Sequence, residues 1–357
     1  MTETDSFKLN RRKLLASAAG IGVSASLPAH ALNPILPMGA WTPLASMPFP
    51  VQEIYPAPFR KSSDPGPSLK PKPLDLLVNA GGLTPDMPYR VTDQVTFYDP
   101  AYDAWGFATP LPEPRHHIAL VNNNGFLYGV GGFARNAAGG WQMRSQCWRL
   151  TDLKGRWEAM TPMPGPQAES ATVSFNGFIH VAGGRSPIGS ANLEWRDHID
   201  TDQHWYFDAG DNRWRALAPM PTARNSTAGV VANGVFYVIG GRTVNGGNTN
   251  VVEVYDPLSD RWEAARPMPK AQGGLAAAVL NGKIYAFGGE YSQPEPGVFP
   301  EVWEYDPDTD HWRGVSAMTH PRHGHGAVAL GEAIYVLGGG EQYSGRQTSA
   351  VLDKFEI

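Results

Sequence analysis

The chain has 357 residues, 42% hydrophobic, 11% aromatic and only 18% charged, with a formal net charge of −5. That apolar content excludes wholesale disorder, and the lack of any basic run after the first 15 residues argues against nucleic acid as a partner. No stretch of 18 uninterrupted apolar residues occurs, so no transmembrane helix is expected. Gly (40) and Pro (32) make up about a fifth of the chain, which favours many short strands joined by turns over long helices. Cys147 is the single cysteine, so no intramolecular disulfide is possible.

The first element in chain order is an address. Arg11 and Arg12 stand directly before a mild apolar run over residues 14–27, and the small residues Ala29 and Ala31 suit a signal peptidase. The arrangement resembles a bacterial twin-arginine signal over residues 1–31, which implies the twin-arginine translocase as export partner and a periplasmic destination. Its removal takes away four basic and two acidic side chains, leaving 25 basic against 32 acidic, a net −7. Residues 55–73 form a proline-rich stretch with six prolines, three lysines and an arginine, and read as a surface insertion.

A repeat follows through the rest of the chain. Gly-Gly pairs at 81–82, 131–132, 183–184, 240–241, 288–289 and 338–339 are separated by 50, 52, 57, 48 and 50 residues, and each ends an apolar run. An aromatic–acid pair follows in most repeats (Tyr98-Asp99, Phe207-Asp208, Tyr255-Asp256, Tyr305-Asp306), with Trp105, Trp214, Trp262 and Trp312 seven residues beyond the aromatic. The second repeat departs from this, with Trp148 and then Trp157. The pattern resembles the Kelch repeat, and the resemblance implies an all-β, six-bladed propeller over residues 32–357, each blade having four strands, A to D, from the axis outward. The last repeat stops at Ile357, before any tryptophan strand, while Trp41 has no repeat in front of it. Residues 41–44 are therefore expected to supply the outer strand of the sixth blade and close the ring.

In such a ring the D-to-A and B-to-C connections emerge on one face, where functional residues are expected. A recurring Met or Leu (Met47, Leu111, Met163, Met220, Met268, Met318) marks each D-to-A connection. Four residues on stand Val51, Arg115, Gln167, Arg224, Gln272 and Arg322, so arginine occupies alternate blades. Two further on stand Glu53, His117, Glu169, Ser226, Gly274 and Gly324, and strand alternation would put both layers on one side of the chain. Three arginines near a shared axis would form an anion site; the alternative is that each arginine braces a neighbouring loop. His116, His117, His323 and His325 flank this set, with Gln167 and Gln272 as further ligand-binding candidates. After the glycine pairs come Arg185, Arg242, Glu290 and Glu341, and the longest B-to-C loop, residues 185–205, is placed to lid the mouth.

Neither the histidines nor the acidic cluster from Asp197 to His204 has zinc or calcium spacing, and no metal site is assigned. Phosphate-loop, dinucleotide and hydrolase-elbow motifs are missing, and no cofactor is specified. Three functions compete. The first is a small anionic or carbohydrate ligand at the axial mouth, with Glu53 and Glu169 available for proton transfer. The chain is similar in size and blade number to periplasmic sialate mutarotases, which implies a Glu and an Arg in one B-to-C loop; Glu341 and Arg346 are the matching pair, one residue closer together than in that family. The second is a non-catalytic protein-interaction scaffold in the periplasm. The third is a galactose-oxidase-like copper enzyme, for which Cys147 would have to be cross-linked to a tyrosine. Replacing Arg11 and Arg12 by Lys is expected to hold the precursor in the cytoplasm on cell fractionation, whereas normal export would assign the signal to the general secretory route.

Overall fold

The five residues before each glycine pair are apolar along most of their length, and in each repeat they form the strand second from the axis. The computed structural model describes residues 38–60, 75–85 and 90–357. The expected signal over 1–31 and residues 61–73 of the proline-rich stretch lie outside the described residues.

Six four-stranded antiparallel sheets follow in chain order. The innermost strands, A, are Ala57–Arg60, Ala119–Asn123, Ala171–Phe175, Ala228–Ala232, Ala276–Leu280 and Gly326–Leu330. Each contacts the innermost strands of both neighbours, so the six form a closed ring. Strands B are Asp75–Ala80, Phe126–Val130, Phe178–Ala182, Val235–Ile239, Lys283–Phe287 and Ala333–Leu337. Strands C are Val95–Asp99, Cys147–Leu150, His204–Asp208, Val252–Asp256, Glu301–Asp306 and Leu352–Glu356. The outer strands of blades one to five are Ala104–Ala108, Glu158–Met160, Arg213–Ala216, Arg261–Ala264 and His311–Ala317. In blade six the N-terminal strand Ala40–Pro43 takes this place, with Trp41 opposite Phe355. The chain is thus an all-β six-bladed propeller closed by its N-terminal strand. Beyond each glycine pair, strands B and C continue as a short two-stranded ribbon on the face that also carries the D-to-A connections.

The apolar core is divided among the interfaces between blades. One cluster joins blades four and five through Tyr237, Ile239, Ile284, Ala286 and Trp303; another joins six and one through Val328, Tyr335, Leu77 and Tyr98. Tryptophan fastens these interfaces by a polar handle as well as by area. The indole N–H of Trp105, Trp157, Trp214, Trp262 and Trp312 donates to the backbone carbonyl of Ala45, Thr109, Thr161, Ala218 and Arg266 respectively, at 2.8 to 3.0 Å. Each acceptor belongs to the connection leaving the preceding blade. Trp157, displaced in the sequence of the second repeat, reaches the same place. Trp41 donates to Ser316 Oγ at 3.1 Å and packs on Phe355 with ring centroids 4.8 Å apart.

Blade three carries a local exception. His180 occupies the strand-B position held by Tyr128, Tyr237, Tyr285 and Tyr335 elsewhere, and His204, read in the sequence as part of a loop, opens strand C opposite Ala182. Their Nδ1 and Nε2 atoms are 3.0 Å apart, with Tyr206, Phe236, Tyr255 and Trp262 around them. Burial pushes His180 down to about 4 and His204, next to His180, down to about 3.

Deleting residues 32–44 removes the fourth strand of blade six and the Trp41 contacts, and is expected to lower stability by several kcal/mol, read as a lower melting temperature. An unchanged melt would rule out the closure. The histidine pair gives a second expectation. Both rings are neutral in the folded protein but bind protons in the unfolded chain below its ordinary value of about 6.5. Stability therefore falls as pH drops from about 6.5 toward 4, by up to about 1.4 kcal/mol per pH unit for each proton. Urea titrations across that range should give a shallower fall for His204→Val than for wild type.

Candidate functional site

Six D-to-A connections converge on the axis, and each does three jobs with successive residues. The residue four after the marker Met or Leu meets the next element of the wall. The second glycine of every pair donates its N–H to the backbone carbonyl of this residue in the following blade: Gly82 to Arg115, Gly132 to Gln167, Gly184 to Arg224, Gly241 to Gln272, Gly289 to Arg322 and Gly339 to Val51, at 2.7 to 3.2 Å. The side chains at the same position point into the wall of their own blade. Arg115, Gln167, Arg224 and Gln272 donate to the carbonyl of the first glycine 16 residues on, Gly131, Gly183, Gly240 and Gly288, at 2.5 to 2.9 Å.

This placement separates the three arginines from the mouth. Arg115 is fully buried, held by Glu113, Gln146 Oε1 at 3.1 Å and the Trp148 ring at 4.5 Å. Arg224 is ion-paired with Glu253 and donates to Val238 O, and Arg322 is ion-paired with Asp353 at 2.8 Å. Of the two readings of these arginines, their contacts match the bracing one. His325 lies in the same wall, buried and pushed well below its ordinary value by burial and by Arg322.

The residue six after the marker forms the axial ring. Glu53, His117, Glu169, Ser226, Gly274 and Gly324 all adopt φ between 51° and 68°. This left-handed turn points five of the six N–H groups, all but that of Glu169, at the ring residue of the preceding blade. Glu53 donates to Gly324 O, Gly324 to Gly274 O, Gly274 to Ser226 O, Ser226 to Glu169 O and His117 to Glu53 O, at 2.7 to 3.0 Å. Left-handed residues other than glycine are strained by about 1–3 kcal/mol each, so Glu53, His117, Glu169 and Ser226 hold that shape at a cost.

Between wall and ring, the fifth residue bridges to the residue after the glycine pair: Gln52 to Leu83, His116 to Phe133, Ala168 to Arg185, Asn225 to Arg242, Gly273 to Glu290 and His323 to Gly340. Charge therefore gathers on one half of the mouth, blades three to five, through Arg185, Arg242 and Glu290. Arg242 is ion-paired with Glu290 across a blade boundary, and Glu290 Oε2 also accepts the Ser344 N–H at 2.9 Å from blade six. Arg185 NH1 stands 4.0 Å from Glu169 Oε1, under the Trp195 ring at 3.9 Å, and Ser226 Oγ donates to Glu169 Oε2 at 2.5 Å. Glu169 Oε1 and Arg185 Nε are buried and have no hydrogen-bond partner. On the opposite side Glu53 Oε2 meets His117 Nε2 at 2.8 Å, and Glu53 Oε1 faces His323 Nδ1 at 4.0 Å. Burial opposes the Glu53 charge, but His117, His323 and Arg242 outweigh it and hold the carboxyl far below its usual range. Burial also opposes charge on His117, and Glu53 and Glu169 nonetheless raise its pKa. Arg242 (29% exposed) and Glu53 (17% exposed) are the ionic groups of this cluster that solvent reaches most.

The structure brings together Glu53, His117, Glu169, Arg185, Arg242 and His323. Glu341 and Arg346 lie on the blade-six ribbon, where Glu341 accepts from Gln347 Nε2 at 2.7 Å and Arg346 is exposed. The turn between them, Tyr343–Gly345, is what reaches the cluster. The long blade-three loop folds into a ribbon and a single 3-10 turn, Trp195–Asp197, and leans on blade two through Asn192 and Met143. Cys147 is buried among apolar side chains, its thiol pushed up to about 12 by burial. Glu290 and Ser226, members of the two sets on this face, belong to the cluster together with Asn225, which the sequence reading did not name. The signal for Glu290 and its neighbours is the position directly after each glycine pair.

Known proteins share this architecture. A solved structure, that of YjhT, superposes with a TM-score of 0.69 at 16% identity, covering 86% of this chain and 95% of that one. Among curated relatives, mouse Kelch-like protein 35 is 27% identical over 45% of this chain, and beta-scruin of Limulus polyphemus is 29% identical over 52%. The matched region spans only 25% and 20% of those two proteins. The KLHDC2/KLHL20/DRC7 Kelch-repeats domain model matches residues 172–353, just over half of the chain. With six glycine pairs in register and the blades they predict, the chain belongs to the Kelch-repeat family.

Proposed function

We propose that this propeller binds a small carbohydrate at its axial mouth, in the periplasm after twin-arginine export. The observation that carries the reading is the charge-compensated cluster around Arg242. Blade packing does not require ions there, since the equivalent positions in other blades hold Leu83, Phe133 and Gly340. Arg242 and Arg185 already have carboxylate neighbours in Glu290 and Glu169. A mouth in which donors and acceptors alternate suits sugar hydroxyls, each both donor and acceptor, better than a bare anion. Tyr55 and Trp195 add partly exposed aromatic surface beside it. Glu53 and Glu169 are the carboxylates available for proton transfer, so a mutarotase- or epimerase-type reaction is the catalytic form of this proposal.

A scaffold role is the second reading. It is favoured by exposed apolar side chains on the ribbons of blades three and four, among them Ile188, Leu193, Ile199 and Val244.

Calorimetry with galactose, N-acetylglucosamine, glucuronate and N-acetylneuraminate tests the first reading. Neutral sugars should bind at least as well as the acidic ones. Arg242→Ala should weaken binding about 10- to 100-fold, the loss of one charge-assisted contact of about 1.5–3 kcal/mol. Arg196→Ala, at a side chain 82% exposed, should leave it unchanged. Binding of acidic sugars alone would restore the anion reading, and binding of none would leave the scaffold.

A further inference from the structure

We propose that Glu53, His117 and His116 form a directional relay that fixes a proton on His116 Nε2 and presents that N–H, inside an aromatic corner, to an acceptor oxygen of the bound sugar. The ligand half of this proposal rests on the carbohydrate reading of the mouth; the relay itself does not.

The geometry begins at the contact between the two imidazoles. His116 Nδ1 and His117 Nδ1 are 2.6 Å apart, both rings buried. Two lone pairs repel at that distance and two protons collide, so one nitrogen carries a proton and the other accepts it. At its far side His117 Nε2 lies 2.8 Å from Glu53 Oε2, a carboxylate that only accepts, so Nε2 is protonated. Burial and His117 hold His116 neutral, so two arrangements remain. Either His117 is an imidazolium that donates from Nδ1 to His116, leaving the proton of His116 on Nε2, or His117 is neutral and His116 donates from Nδ1, leaving Nε2 bare.

The surrounding charges choose between them. Glu53 and Glu169 favour the imidazolium; Arg242 and burial oppose it, and the net effect is to raise the pKa of His117. His323 faces the other oxygen of Glu53, and the Tyr55 ring lies 5.9 Å from the His117 ring. His116 is driven the opposite way, well below its ordinary value, by burial and by His117. The carboxylate in direct contact with His117 at 2.8 Å, on the side away from His116, favours the charge on His117 and a neutral His116, which is the first arrangement.

The end of the chain points to a ligand. His116 Nε2 is buried without a hydrogen-bond partner. An unpaired buried donor costs about 1–3 kcal/mol, which is offset when an acceptor arrives. The ring is flanked by Phe133, stacked with centroids 5.1 Å apart, and by the edge of Trp141 at 4.5 Å, with Trp195 next to Phe133 at 5.4 Å. Phe133 is fully buried, so Trp141 and Trp195 are the faces of this corner that solvent reaches, and a fixed donor beside them is suited to the ring oxygen and apolar face of a pyranose.

Long-range proton–nitrogen spectra of the full chain labelled with 15N-histidine test this at pH 7, with assignment by His116→Gln and His117→Gln. The expected pattern is a doubly protonated His117 and a neutral His116 carrying its proton on Nε2. Glu53→Gln, checked for an intact melt, should turn His117 neutral at that pH. Galactose or N-acetylglucosamine at saturation should shift the His116 Nε2–H resonance, and His116→Phe should weaken binding at least tenfold while His116→Gln, which keeps an N–H, loses less. A His116 protonated on Nδ1, or a neutral wild-type His117, overturns the relay whatever binds. A sugar that binds through Arg242 but leaves His116 unmoved overturns the ligand half and spares the mouth. The expected spectrum without binding of either sugar upholds the relay and overturns both its ligand and the carbohydrate reading.

Discussion

The structure depends on one hydrogen bond made six times, from the N–H of the second glycine in each pair to a backbone carbonyl in the next blade. For that bond to form, the following D-to-A connection must lie almost on the glycine pair. A Cβ on Gly81 would sit 2.1 Å from Arg115 O, and one on Gly288 would sit 2.2 Å from Arg322 O. The glycine pair is therefore demanded by contact as well as by its positive φ. Because the bond passes from blade to blade, it also fixes the angle between them, and the tryptophan N–H on the outer side fixes the same angle from the other end.

That bond sets where function can reside. It consumes the backbone of the fourth residue after each marker, and in four of the six blades the side chain there braces the first glycine. The backbone two positions downstream, and that directly after each glycine pair, is likewise committed, but the side chains there are left with no duty that all six blades share. Blade packing tolerates Gly, Leu, Phe, Arg or Glu at the latter. Five buried or half-buried ionic groups, Glu53, Glu169, Arg185, Arg242 and Glu290, occupy these free positions around the axis. Taking such groups out of water costs several kcal/mol each unless they are paired, and blade packing gives no reason for an energetic burden of this kind at positions the fold leaves open.

The ring, its count and its closure were legible because each rests on a side chain with few alternatives. The glycine pairs mark the close approach, the tryptophans mark the interface, and Trp41 without a repeat marks the closing strand. The arginine layer was harder to read for a definite reason. Strand alternation places residues two apart on the same side, which would have put Arg115 and His117 together at the mouth. His117 and its ring counterparts are instead in the left-handed region, so the alternation breaks between them, and the arginine turns into the wall while the ring residue turns to the axis. No spacing rule shows that break, since Glu, His and Ser occupy a conformation that sequence would assign to glycine. The retained glycines at Gly274 and Gly324, aligned with Glu53 and His117, are the one trace of it.

Histidine shows how far residue type falls short of chemistry here. His180 and His204 touch each other in blade three with aromatic rings around them, and burial drives both down to remain neutral. His116 and His117 also touch, equally buried, and they are driven apart. The difference is one carboxylate: Glu53 reaches His117 at 2.8 Å, whereas neither His180 nor His204 has a carboxylate among the groups that shift it. A pair of neutral rings with no charged group at either end carries no charge through its contact and serves as packing. A pair with an acid at one end has a direction, from carboxylate to open nitrogen, and that polarity rather than the histidines themselves separates a packing contact from a group able to act on a ligand.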